Sequence, residues 1–196
     1  MAWTSPKTFV AGRALTASEL NTHLRDNMLE MAAAKAPTTN QNSYFVVDKP
    51  NHIIARRWAA SYYSSTISTS STEFTDVTAS PGPVCTATTG TIATVFLTAQ
   101  AENSSAGQAA IMGFTVTRVP AEDAENGEQE EAYIAADVHR CLRIKVNSAA
   151  QPQQFSNFIV LDNLVPGENI FQAKYRTENS GTATFLQRRL IVLPRN

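Results

Sequence analysis

The chain has 196 residues, 43% of them hydrophobic, and its 16 basic and 17 acidic side chains leave a formal net charge of −1. That length suits one well-buried domain with an appendage rather than two full domains, and the near-neutral balance lacks the basic field that draws a protein to nucleic acid. No run approaches the roughly eighteen apolar residues of a membrane span, and no basic region precedes an apolar core at the N-terminus, so neither membrane insertion nor signal-directed secretion is expected.

Residues 1–14 read as an extended arm whose adhesive side chains are Trp3, Phe9 and Val10. A helix-start device follows. Thr16 and Glu19 have the spacing of a capping box, in which the Thr hydroxyl accepts from the N–H of Glu19 and the Glu carboxylate accepts from that of Thr16. Leu15 and Leu20 flank the box at the positions of a hydrophobic staple. From Ala17 the helix is expected to run to about Lys35, where Lys35-Ala36-Pro37 supplies a cationic last turn and a proline stop. Leu20, Leu24, Met28 and Met31 then share one face, away from Arg25, Asp26 and Glu30.

Packing on its own domain is the commoner fate of such a helix. Here residues 37–43 form a polar linker, which leaves the 15–36 unit tethered beside the body. A helix of about five turns with a narrow apolar stripe is marginal alone in water. Self-association through Leu20, Leu24, Met28 and Met31 is therefore the favoured reading.

After the linker the hydrophobic period changes to two, and residues 44–196 read as an all-β body. Tyr44–Val47 opens it, and Ile53–Tyr63 follows as one segment containing Trp58. Ser64–Thr72 reads as a polar edge strand or hairpin, Glu73–Thr78 as a strand, and Ser80-Pro81-Gly82-Pro83 as a turn. Thr91–Ala101 places Ala93, Val95, Leu97 and Ala99 on one face, and Ala110–Val119 is expected to pair with it as an antiparallel hairpin across Asn103–Gly107. Tyr133–Val146 alternates with Val138, Leu142, Ile144 and Val146 against His139, Cys141, Arg143 and Lys145. Phe155–Leu164 and Asn169–Arg176 flank a turn at Val165–Glu168, and Thr182–Leu193 runs to Pro194. Eight or nine strands without intervening helices predict a β-sandwich or closed barrel. No repeat of the kind that builds propellers or solenoids is present.

Little in this body suggests chemistry. Cys85 and Cys141 stand apart, with no spacing that suits zinc, and read as small buried hydrophobes, although a single bridge between them stays geometrically open. Residues 122–131 hold six carboxylates. Asp123, Glu125 and Glu128 are the natural oxygen ligands there, but the spacing departs from the calcium-loop pattern, so a solvated hairpin tip is the expected role and no metal is assigned. His23, His52 and His139 are isolated from one another in sequence. Phosphate-binding, zinc-protease and nucleophile-elbow motifs are lacking, so no catalytic residue and no cofactor are assigned, and the chain is read as a non-enzyme. Trp58, Tyr62 and Tyr63 offer a sugar-stacking platform, against the more ordinary role of core or subunit interface. Arg56-Arg57 and Arg188-Arg189 each place one arginine on either face of a strand; solvated strand surface is the ordinary expectation, and the sharper alternative directs one of each pair inward or toward a neighbouring subunit, where it requires an ion-pair partner.

The run Leu15-Thr16-Ala17-Ser18-Glu19-Leu20-Asn21-Thr22-His23-Leu24-Arg25-Asp26-Asn27, led by Trp3, Phe9 and Gly12, resembles the N-terminal segment of tailed-bacteriophage virion proteins of the minor tail or fibre-like kind. The closing portion, from Leu164-Val165-Pro166-Gly167-Glu168 through Gly181-Thr182-Ala183-Thr184-Phe185 to Arg189-Leu190-Ile191-Val192-Leu193-Pro194, is similar to the last strands of jelly-roll domains in phage fibre and decoration proteins. The first resemblance covers about thirty residues and is the more specific. Together they imply a mainly β protein: an extended arm and one amphipathic helix, then a jelly-roll-like antiparallel β-sandwich. They imply a homotrimer assembled in the host cytoplasm into the virion, anchored to other virion proteins of the tail. A capsid decoration protein or head fibre of the same architecture is the alternative address. A carbohydrate-binding adhesin that contacts a host surface glycan is the alternative of another class.

Overall fold

In a computed structural model of the chain, the structure describes residues 7–8, 10–26, 28, 42–50, 52–77, 82–119, 132–145 and 147–196, and for Leu24 and Asp26 the backbone alone. Trp3, Phe9, Met31, most of the 37–43 linker and the acidic 122–131 segment lie outside the described residues.

Helix α1 spans Ala17–Leu20 and starts as its sequence dictates: Thr16 is extended, its Oγ1 accepts from Glu19 N at 3.2 Å, and Glu19 Oε2 accepts from Thr16 N at 3.0 Å. The long α-helix is not continued in its regular form, because Asn21–Asp26 takes wider π-helical turns. Bonding i to i+5 displaces the i, i+4 register on which the Leu20–Leu24 stripe depends. The rest of the expected helix, apart from Met28, lies outside the described residues.

The body opens with an antiparallel hairpin of β1 (Ser43–Lys49) and β2 (His52–Arg57). The single strand expected over Ile53–Tyr63 is broken at Trp58, and β3 (Ala59–Tyr63) joins a different sheet. The remaining strands are β4 (Ile67–Thr69), β5 (Val84–Thr89), β6 (Ala93–Asn103), β7 (Ala109–Arg118), β8 (Leu142–Lys145), β9 (Gln153–Leu161), β10 (Gly167–Thr177) and β11 (Ala183–Pro194).

Two antiparallel sheets stack face to face. One has the order β5-β10-β7-β8, the other β3-β11-β6-β9 with β4 also paired to β11. Leaving out β4, the sandwich strands run from β3 and β5 to β11, and the first pairs with the last while the second pairs with the last but one. Strands nested in this way make a jelly roll, in which the chain wraps as a folded-over hairpin. The protein is therefore mainly β, with a jelly-roll-like antiparallel sandwich.

That wrapping overturns the expected β6–β7 hairpin, because the two strands lie in opposite sheets: β6 sits between β11 and β9, and β7 between β10 and β8. The connection from Asn103 to Ala109 crosses from one layer to the other. Asn103, fully buried, organises it by donating to Ala109 O (3.2 Å) and Thr177 Oγ1 (2.9 Å) and accepting from Ser105 N (2.9 Å). Gly181 has φ +79°, and a Cβ there meets the Asn103 carboxamide.

Two further expectations are corrected. Glu73–Thr78 contributes one bridge, Thr75 to Tyr175, rather than a strand, with Thr78 outside the described residues. In Tyr133–Val146 the alternation fails before β8, because Asp137 caps a turn by accepting from His139 N (2.9 Å) and Arg140 N (3.1 Å). Val138 is consequently exposed, against its expected side with Leu142 and Ile144, while Cys141 is buried as its reading as a small hydrophobe requires.

The core lies between the sheets. The inner face of β6, Ala93, Val95, Leu97, Ala99 and Ala101, is fully buried, and its small side chains leave room for large ones opposite. Phe114 packs near Phe171 with centroids 6.4 Å apart, and Tyr175 near Phe185 at 5.0 Å. Burying each such aromatic contributes about 1.5–3 kcal/mol. This rigid sandwich fixes the positions of two exposed features, an apolar sheet face and an edge groove.

Candidate functional site

On the N-terminal segment, the arm returns to the helix cap. The Glu19 carboxylate takes ion pairs from Lys7 and from Arg13 (3.3 Å) in addition to its bond from Thr16 N. The hydrogen bond from Lys7, helped by that from the Thr16 backbone, pulls its pKa down to about 2. Leu15 is half exposed, and with Lys7, Thr8, Val10, Arg13 and Glu19 it lines a shallow hollow. Val10, Leu20 and Met28 are exposed, at 68%, 39% and 64%. Of the four residues read as an oligomer interface, Leu20 and Met28 thus offer apolar surface to a partner, while Met31 and the Leu24 side chain lie outside the described residues.

The sandwich carries a second apolar surface that the sequence reading missed. Alternation along β6 turns Val95 and Leu97 inward and Phe96 outward. In register with Phe96 stand Ile191 on β11 and Phe158 on β9, and beside them Leu193, Thr94 and Val160 form the next row. Phe158 is 65% exposed and Val160 55%, with the Phe96 and Phe158 rings 6.3 Å apart. The flank of this band is polar: Thr98 and Ser156 hydroxyls bond at 3.1 Å, and Arg189 lies over Tyr62 at 5.2 Å. An exposed apolar patch rimmed by polar groups is the usual signature of a protein contact. The signal in the sequence, outward Phe158 and Val160 in an alternating strand, becomes visible only once the register aligns them with Phe96 and Ile191.

The three aromatics read as a sugar platform are separated. Tyr62 and Tyr63 are successive residues of one strand and take opposite faces. Tyr62 lies beneath Arg189 on the outer face, whereas Tyr63 packs toward Arg188 at 5.7 Å. Trp58 lies off the end of β3 and lines a groove of about 760 Å³ between the β2–β3 segment and β5. Arg56, Arg57, Val84, Thr86, Thr88 and Glu168 also border it. Among the described residues, both flanking strands have an unpaired edge there, since β3 pairs with β11 and β5 with β10 and neither has a second partner.

Of the arginine pairs, Arg188 is the inward member and is fully buried, donating to Ser65 O and Oγ, each at 2.9 Å. Arg56 donates to Asn196 O at 2.9 Å. Both cysteines are free and buried. Cys85 Sγ donates to Leu190 O and Cys141 Sγ to Val138 O, and burial pushes the Cys85 thiol up to about 11. Such a thiol stays protonated and acts as a small hydrophobe rather than a nucleophile. His52 pairs with Asp48 on the β1–β2 hairpin, and His139 sits in the turn before β8. Among the described residues, no three His, Cys, Asp or Glu side chains gather into a group able to hold a metal ion.

No protein family model matches the chain, and no curated protein matches it. Among solved structures it is similar to the Eiger TNF of S. frugiperda, at 13% identity and a TM-score of 0.42, covering 71% of this chain and 92% of that one.

Proposed function

We propose that this chain is a non-enzymatic structural protein of a tailed-phage virion, assembled as a homotrimer and anchored in the tail by its N-terminal arm. Residues 1–14 are the anchor, 15–36 the oligomerising stem and 44–196 the projecting jelly-roll body. The observation that carries self-association is the apolar band in which Phe96, Phe158 and Val160 are exposed and Ile191 and Leu193 half-buried beside them, a surface that a second copy would remove from water. Exposed Leu20 and Met28 after the helix cap support the same reading. The wording of the first thirty residues supports the virion setting. An arm with a few aromatic anchors binds weakly once and strongly three times, which makes trimerisation the natural companion of anchoring.

Two measurements test this. Mass in solution should be that of a trimer, and a monomer at micromolar concentration overturns the stem and band together. Gold-labelled antibody on intact particles should decorate the tail and should cease to do so when residues 1–15 are deleted. Label on the head instead moves the protein to the capsid decoration or head-fibre address, and unlabelled particles overturn the virion reading.

A further inference from the structure

We infer that the groove between the β2–β3 segment and β5 is a binding site for a short oligosaccharide, so that the body has a recognition function besides its structural one. The proposal stands on the groove alone and holds wherever the protein is mounted.

The shape comes from two unpaired strand edges. β3 and β5 close the same side of the sandwich without pairing to each other, and the chain between β2 and β3 passes over the gap. The resulting volume of about 760 Å³ falls within the range of small-ligand clefts, roughly 300–1,000 Å³. Its lining is not that of an apolar ligand site. One wall offers Trp58, Arg56 and Arg57, and the other offers the Thr86 and Thr88 hydroxyls with the Glu168 carboxylate, which stands in register with Thr88 on the neighbouring strand.

These groups are uncommitted. Among the described residues, the side chains of Arg57, Trp58, Thr86, Thr88 and Glu168 have no hydrogen-bonding partner. A guanidinium, an indole N–H, two hydroxyls and a carboxylate thus converge on one concavity, with both donors and acceptors present. Many hydroxyls on a ring with apolar C–H faces are the complement of this set. The indole face takes the C–H side of a sugar ring, and the polar groups on the facing walls take its hydroxyls. Trp58 is held for that role by its backbone, whose N–H donates to Asn42 O at 3.2 Å. Tyr62 and Tyr63 lie outside the groove and take no part.

The test is a printed array of bacterial and mammalian glycans probed with the full chain, alongside four variants whose melting is checked first. Binding to a restricted set of oligosaccharides is expected. Trp58→Ala should lower that signal by at least about tenfold, equivalent to the loss of one good contact. Arg57→Ala, at an exposed position, should weaken it, and Thr86→Trp should block it by filling the groove while leaving Trp58 and Arg57 in place. Tyr62→Ala should leave it unchanged. No glycan bound by the unmodified chain overturns the proposal, as does a signal that survives Trp58→Ala and Thr86→Trp in folded protein. Loss with Tyr62→Ala alone places the ligand on the outer sheet face and also overturns it. Trimer mass and particle labelling are read independently, so failure here leaves the structural reading standing.

Discussion

Arg188 is fully buried and lies 5.6 Å above the ring of Tyr175, also donating to its hydroxyl at 3.4 Å. With the Tyr63 ring at 5.7 Å and the oxygens of Ser65, this charge is held by π faces and by the Ser65 carbonyl and hydroxyl rather than by a carboxylate, and its buried Nε has no hydrogen-bond acceptor among the described residues. Aromatic faces attract a desolvated guanidinium. Burial in turn pushes the Tyr175 phenol up to about 12, against a smaller opposing pull from Arg188. Arg188→Ala should therefore lower stability by about 2–4 kcal/mol, from the cavity it opens and from the loss of its hydrogen bonds to Ser65 and Tyr175. Arg188→Met, which keeps most of the volume and removes the charge, should lose less than half as much. Chemical denaturation of both variants checks the order.

The inward direction of Arg188 depends on Gln187. On β11 Ala183 and Phe185 face the core, yet so do Arg188, Leu190 and Val192, so the alternation changes phase between them. The change is a bulge: pairing with β6 slips between Leu186 and Arg189, and Gln187 has φ 46°. A β-branched residue is poorly accommodated at that φ. Gln187→Gly should stay within about 0.5 kcal/mol of the parent, while Gln187→Val should lose about 1–3 kcal/mol. Equal stabilities for the two would show that the bulge relaxes at no cost.

Asn103 ties the crossover between the sheets, and the sequence disguises it as an ordinary turn residue. Asn103→Ala removes three hydrogen bonds at once: the Ser105 N–H loses its acceptor, while the Ala109 carbonyl keeps the Glu178 N–H and the Thr177 hydroxyl still donates to Ser180 O. Each lost hydrogen bond is worth about 0.5–1.5 kcal/mol, and the loss of all three should lower stability by about 2–4 kcal/mol. Thr177→Val removes one of these partners, and the double variant should be less than additive with Asn103→Ala. Strict additivity in a double-mutant cycle would rule out the shared network.

Phe158 separates the role of the band from the stability of the fold. It is 65% exposed on β9, so Phe158→Lys should cost the monomer little. In a trimer that buries the band the same change places a charge in an apolar contact, and the mass in solution should fall toward that of a single chain. A trimer of unchanged stability carrying Phe158→Lys would place the contact elsewhere.

What the sequence discloses divides by range. The Thr16–Glu19 cap and the alternation over Ala93–Ala99 are local devices, legible because each residue's partner is a few positions away. Pairing is not local. Asn103–Gly107 looks like a hairpin turn because two alternating strands flank it, and only packing of both inner faces onto one core sends β7 into the opposite sheet. The same limit hides the phase change at Gln187, since the alternating pattern of Phe185 to Leu193 reads equally well in either phase. The groove is harder still. Trp58 is conspicuous, but Thr86, Thr88 and Glu168 reach it only through strand wrapping, and Tyr62 and Tyr63, its neighbours in sequence, do not.

The arm and the helix cap make one unit, and pH should reveal it. A carboxyl whose folded pKa lies below its ordinary value stabilises the fold above that ordinary value. The contribution is lost as pH falls through the folded one. For Glu19 that window runs from 4.5 down to about 2, with the hydrogen bond from Lys7 as the largest cause and that from the Thr16 backbone next. The Glu19 carboxylate carbon, followed by NMR, should therefore titrate with a midpoint near 2. Lys7→Ala should raise the midpoint toward the ordinary value while the helix start survives, because Thr16 still bonds both ways with Glu19. Thr16→Ala should raise it less but fray the first turn. A parent midpoint near 4.5 would mean that Lys7 does not reach the cap and that the arm leaves the helix unattached. The anchor then has no fixed direction relative to the stem, and anchoring would rest on the arm's own side chains.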